Sequence, residues 1–164
     1  MTTIAESFLP EFDAEMKKTR RLLERVPEGR FDWKPHEKSR TLGALATHVA
    51  EVPRFGLRFD ADVWQAGSDK APELKTAAAL VDRFDENVAA SRASIARKTD
   101  AQMEGDFTVL RPDGQPFFKL SRRALVRNIL LNHLIHHRGQ LSVYLRENDV
   151  PVPSIYGPSA DEAI

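Results

Sequence analysis

Three histidines, His48, His133 and His137, stand where imidazoles could share one cation. His133 and His137 are four residues apart, so on a helix their side chains project together. Both lie on an otherwise apolar stripe of Val126, Leu130, His133, His137, Leu141 and Tyr144. His48 holds the same kind of position on a second stripe, between Leu45 and Val52. A buried imidazole must have its nitrogens satisfied, because an unpaired buried polar group costs about 1–3 kcal/mol. One core histidine is ordinary. Three on core-facing stripes share an explanation in a divalent metal ion, to which each neutral ring gives one lone pair. A closed structural zinc site uses four protein ligands. Three neutral ligands leave the cation its full charge and at least one open position, where a water or thiol can lose its proton near neutral pH. Imidazoles suit zinc, nickel, copper and iron alike, so the residues do not choose the metal.

Other polar residues are weaker candidates. His136 lies about 100° around the helix from His137 and reads as a surface residue or an outer partner, not a ligand. His36 sits in a polar loop and reads as solvated. Tyr144, one to two turns beyond His137, reads as core within reach of the site. Asn132, Gln140 and Glu51 offer acceptors that would orient ligand rings. Arg122, Arg123 and Arg127 read as exposed residues near a helix N-terminus, where the dipole makes cations mildly unfavourable. Lys17, Lys18, Arg20 and Arg21, interleaved with Glu11, Asp13, Glu15 and Glu24, read as a solvated face. Leu134 and Ile135 follow His133, so the HExxH pattern of zinc proteases is missing. No phosphate-binding glycine loop is present, and Gly43 and Gly56 read as packing points. No catalytic side chain beyond the ligand set is assigned.

Four segments have the period needed to position these residues, and Pro and Gly separate them. The first spans about Thr3 to Val26, with Phe8, Phe12, Met16, Leu22 and Leu23 on its stripe. Pro27 and Gly29 end it, and Phe31 and Trp33 then form an aromatic loop expected to cap one bundle end. The second spans about Thr41 to Ala61, with Leu42, Leu45, His48, Val52, Phe55 and Phe59 aligned. Pro53 lies inside it and removes a backbone hydrogen bond, which predicts a kink just after His48. The third spans about Glu73 to Lys98. The fourth spans about Arg122 to Asn148, with Ser121 placed to cap it. Between the last two, Pro112, Asp113 and Gly114 form a turn signal flanked by short apolar runs, which predicts a short hairpin or extended loop. Ile155 and Tyr156 of the irregular tail are expected to fold back. Four apolar stripes bury one another most simply in an all-α four-helix bundle, a single domain over residues 1–164.

Composition narrows the function classes. The 24 basic and 24 acidic side chains cancel, so no global charge draws the chain to nucleic acid or anionic membrane. The chain has 0 cysteines, which excludes disulfides, thiolate metal sites and a cysteine nucleophile. Met1 to Pro10 lacks a basic segment followed by an apolar run, and no 18-residue apolar stretch occurs, so a cytoplasmic protein without membrane contact is expected.

The segment Asn132-His-Leu-Ile-His-His-Arg-Gly-Gln-Leu, followed by Tyr144-Leu-Arg and Val150-Pro-Val-Pro-Ser-Ile-Tyr-Gly, resembles the C-terminal signature of the DinB/YfiT-like superfamily. Thr41-Leu-Gly-Ala-Leu-Ala-Thr-His-Val-Ala resembles its first histidine motif, and Trp33 with Pro35 the loop before it. The resemblance implies a four-helix bundle of up-down-down-up connectivity, often a homodimer. It also implies a metal, commonly nickel or zinc, on three histidines that map to His48, His133 and His137. Some members are metal-dependent S-transferases for low-molecular-weight thiols or related isomerases, and many have no known activity. A metal-dependent S-transferase acting on a small molecule with a thiol is therefore the leading expectation. A metal-activated hydrolase and a non-enzymatic stress-response binding module stay open beside it.

Overall fold

The computed structural model describes residues 2–70 and 72–163. Helix α1 (Ile4–Leu23) starts at Thr3, whose hydroxyl accepts from the Glu6 N–H while the Glu6 carboxylate accepts from the Thr3 N–H. This reciprocal cap satisfies two donors that a helix start otherwise leaves orphaned. Thr41 caps α2 (Leu42–Glu51), Thr76 caps α3 (Ala77–Ala96), and Thr99 opens the short α4 (Asp100–Glu104) with a second reciprocal cap. Ser121 caps α5 (Arg122–Leu125), and the chain runs without a break into α6 (His133–Arg146). Helix α3 packs on α1 and α2, and α2 packs on α6. Phe12, Leu22, Leu45, Leu80, Phe84, Leu130 and Leu141 are among the buried residues of the common core.

The all-α expectation is overturned by a small three-stranded mixed sheet beside the helices. Strands β2 (Asp106–Leu110) and β3 (Pro116–Ser121) form the anticipated antiparallel hairpin, with Gly114 at φ 82° in its turn. Strand β1 (Val63–Gln65) adds to the free edge of β2 in parallel. Three residues are too short to register as a period-two pattern. The partner edge lies far along the sequence, so only the folded chain creates this strand.

Two helical stretches depart from α geometry. The second helix ends at Glu51, and Val52–Asp60 continues as 3₁₀-helix, so the kink expected at Pro53 is a change of helix type. Val52 N–H still bonds His48 O, but Pro53 has no N–H to continue the i→i−4 ladder. In the tighter 3₁₀ winding, residues three apart share a face. Val52, Phe55 and Arg58 thereby form one row. In the last helix, Val126–Asn132 is wound as π-helix immediately before His133.

Arg122 is 6% exposed, correcting its reading as a surface residue. Its Nε donates to Phe59 O at 3.0 Å, and its Nη2 donates to Ala61 O at 2.7 Å and to the Asp62 carboxylate at 2.5 Å. Carbonyls left over where the 3₁₀ segment turns into β1 need donors, and a guanidinium has five. Arg123 and Arg127 do stay at the surface, paired with Glu104 and Glu11.

The tail folds back as expected. The Tyr156 hydroxyl donates to Glu15 Oε2 at 2.6 Å and accepts from Arg138 Nη2 at 2.5 Å. Arg138 and Glu15 are both buried and lie 2.6 Å apart, joining α6 to α1. Lys18 donates to Glu15 at 2.8 Å, Arg20 to Asp85 at 3.0 Å, and Arg21 to Glu162, so three of the four cations of the α1 basic cluster are taken up in ion pairs. The aromatic loop lies over the start of α2, where Gly43 N–H donates to Phe31 O at 2.9 Å. A Cβ at Gly43 would stand 2.5 Å from the Phe31 ring, so this approach requires glycine.

Candidate metal centre

Helices α2 and α6 bring His48, His133 and His137 together, with one ligand atom of each within 4.8 Å of the others. His133 Nε2 lies 3.3 Å from His48 Nε2 and 2.8 Å from His137 Nε2. The His48 ring stands edge-on to His137 at a centroid distance of 4.4 Å.

Outer partners decide which nitrogen faces inward. His133 Nδ1–H donates to Ile129 O at 3.3 Å, and His137 Nδ1–H donates to Gln140 Oε1 at 2.7 Å. At the end of the π-wound stretch the His133 backbone N–H bonds Leu130 O, three residues back. With their protons on Nδ1, both rings present bare Nε2 lone pairs to each other. Two lone pairs at 2.8 Å repel unless a cation lies between them. Zinc–nitrogen bonds of about 2.05 Å set donors about 2.9 Å apart at a right angle and about 3.3 Å apart at a tetrahedral one. The two separations at His133 fall near these values, and the third lies within 4.8 Å, so the donor set could hold a divalent ion.

Electrostatics keeps the rings neutral. Burial, the nearby Arg40 cation and the other two histidines push His48 down to about 3. Burial likewise lowers His133 and His137, outweighing the bonds to Ile129 O and Gln140 that favour their protonated forms. Neutral rings are the form that binds a metal.

The outer residues divide. Of the three acceptors named from the sequence, Gln140 alone bonds a ring of the group, that of His137. Glu51 does not: its carboxylate accepts from Arg83 Nε and from Asn87 Nδ2 at 3.3 Å. Asn132 bonds neither ring. His136 is exposed beside His137 and outside the group, and His36 is exposed with Nδ1 accepting from Lys38 N–H. Tyr144 donates its hydroxyl to Arg40 O at 3.3 Å and stacks edge-on with Trp33, a packing role.

Two clefts open beside the group. The first, about 650 Å³, has His48 and His133 at its wall and is largely apolar. The 3₁₀ row of Val52, Phe55 and Arg58 lines one side. The sheet supplies another, because Trp64 pairs with Val109 and Val109 with Phe118, giving a cross-strand row. The second, about 850 Å³ and more polar, runs past Arg40, Asp32 and Lys75 and shares His48 and Glu51 with the first. Arg58 and Trp64 escaped sequence reasoning. The one local clue was Pro53, which licenses a three-residue period after Val52. Nothing local marks Trp64, whose strand depends on a distant edge.

Fold and site together define a helical protein with a small mixed sheet and a three-histidine group able to hold a metal ion. The DinB family model matches residues 1–163, and the chain belongs to the DinB family. It is 26% identical over 159 residues to the uncharacterized protein YrdA of Bacillus subtilis (strain 168), covering 96% of this chain and 90% of that one. A crystal structure of a DinB-like protein from Bacillus cereus ATCC 10987 superposes with a TM-score of 0.72 at 23% identity, covering 94% of this chain and 99% of that one. The DinB-like protein YjoA of Bacillus subtilis gives 0.68 at 21% identity, covering 88% and 96%. At these identities the structural likeness establishes the fold. Among the described residues no helix is long and apolar enough to cross a membrane.

Proposed function

We propose that the protein binds one divalent metal ion, zinc or nickel, on His48, His133 and His137, and uses it to transfer a low-molecular-weight thiol to a small electrophile. The carrying observation is the convergence of neutral imidazoles at 2.8 and 3.3 Å, with the Nδ1 protons of His133 and His137 directed outward. When bound, such an ion supplies Lewis acidity that lets a thiol ionise near neutral pH. The chain's residues do the rest. Gln140 and the Ile129 carbonyl hold two rings in the donor tautomer. Phe55, Trp64 and Phe118 line a cleft that holds an apolar electrophile and keeps water from competing. The sulfur forms a bond to the electrophilic carbon, the leaving group departs with its electron pair, and the thiol proton passes to solvent. A second cleft at the same histidine gives the two reactants separate approaches.

Metal analysis of protein purified without a histidine tag should find one equivalent of a divalent ion. Metal-loaded protein should turn over a thiol with a model electrophile, and His137→Ala should not. Equal activity of parent and variant rejects the mechanism. Hydrolysis of an activated ester without any thiol requirement favours a hydrolase.

A further inference from the structure

Arg58 is the unexplained charge in the apolar cleft. Its guanidinium lies 4.1 Å from the Trp64 ring centroid and 5.2 Å from that of Phe55, so aromatic faces hold its plane. Only 18% of its side chain is exposed. Yet among the described residues it has a single hydrogen-bond partner, Asp69, reached by Nη2 at 2.5 Å. Its Nε is buried without a partner. Asp69 is not its alone, since Arg54 stands 3.7 Å from both Asp69 and Glu51. Glu51 is in turn engaged by Arg83 and Asn87. A largely buried guanidinium with its Nε unpaired gains from an anion that completes it, and its planar fork matches a carboxylate.

Its place in the cleft sets the ligand's shape. Arg58 shares the 3₁₀ row with Val52 and Phe55; Trp64 packs edge-on against Phe55 at 5.6 Å, and Val109 and Phe118 continue the cleft wall from it. The helical rise from His48 to Arg58 is roughly 18 Å, and helical side chains lean toward the N-terminus, which brings the guanidinium back toward His48. We infer that the cleft binds a small organic carboxylate with a flat apolar body, its carboxylate on Arg58 and its other end at the three histidines. The inference rests on the proposed function only for which end of the ligand reacts.

The test is calorimetric binding of 4-phenylbutyrate and its neutral amide to zinc-loaded and metal-stripped protein. The acid should bind at least about tenfold tighter than the amide in both forms. Arg58→Gln should erase that preference. Asp69→Asn removes the competing carboxylate and should tighten the acid several-fold, a gain that a misfolded variant cannot produce. An unchanged or weaker affinity in Asp69→Asn overturns the inference. So does a preference that survives Arg58→Gln, or one that vanishes on stripping the metal, which would put the carboxylate on the ion. Protein that takes up no metal but keeps an Arg58-dependent preference rejects the transfer mechanism and leaves this inference standing.

Discussion

His137 donates its Nδ1 proton to Gln140 Oε1 at 2.7 Å, three residues further along the same helix. The bond selects the tautomer whose Nε2 lone pair faces His133. Removing such outer partners from metal-bound histidines costs about 10–100-fold in affinity. Gln140→Leu should therefore weaken zinc binding about tenfold or more while leaving the helical circular dichroism unchanged. Competition against a chromophoric chelator measures it, and parental affinity in the variant would show that Gln140 orients nothing.

Metal should stabilise the fold, because the site draws on two helices that come together only in the native state. At a hundredfold excess over Kd the linkage contributes about 2.7 kcal/mol. For a chain of this size that is roughly 5–10 °C in Tm. Calorimetric scans with and without zinc should show this rise in the parent and none in His48→Ala. A rise of similar size in that variant would place the ion elsewhere.

Acid stability should depend on Glu15. Burial pushes its carboxyl up, but the bonds from Lys18, Tyr156 and Arg138 outweigh burial and hold it below the ordinary 4.5. A depressed folded value means the unfolded chain binds more protons in that range. The contribution is present above about pH 4.5 and is lost as the pH falls through the lower folded value. Tyr156→Phe removes one of those bonds, so the acid-unfolding midpoint should move to higher pH. A midpoint that stays in place or falls would mean that the tail hydroxyl does not help hold the carboxylate.

Gly56 touches α3 more closely than any side chain could. A Cβ there would lie 1.8 Å from Ser91 Oγ and 3.0 Å from Ser91 Cβ. Rotating the serine relieves the first contact but not the second. Gly56→Ala should destabilise the protein by about 1–3 kcal/mol, the usual cost of overpacking. Urea unfolding gives the number, and a neutral result would show that the 3₁₀ segment can shift away from α3.

Local chemistry was enough for much of this protein. Ser121 announces the start of the last helix because a cap bonds donors within three residues of itself. Pro112, Asp113 and Gly114 announce the hairpin turn for the same short-range reason. His133 and His137 share a direction because helical geometry puts residues four apart on one face. Their pairing with His48 could be anticipated only because both stripes were apolar and had to be buried.

Tertiary structure decided the rest. The parallel pairing of Val63–Gln65 with Thr108–Leu110 depends on an edge that exists only after the hairpin has formed. That pairing turned the expected all-α bundle into a helical fold with a mixed sheet. Arg122 became buried because carbonyls from separate segments converge on it. The 3₁₀ winding along the cleft wall and the π winding just before His133 differ from α-helix by one residue in hydrogen-bond span. Local propensity hardly separates such states, and packing against distant elements chooses between them.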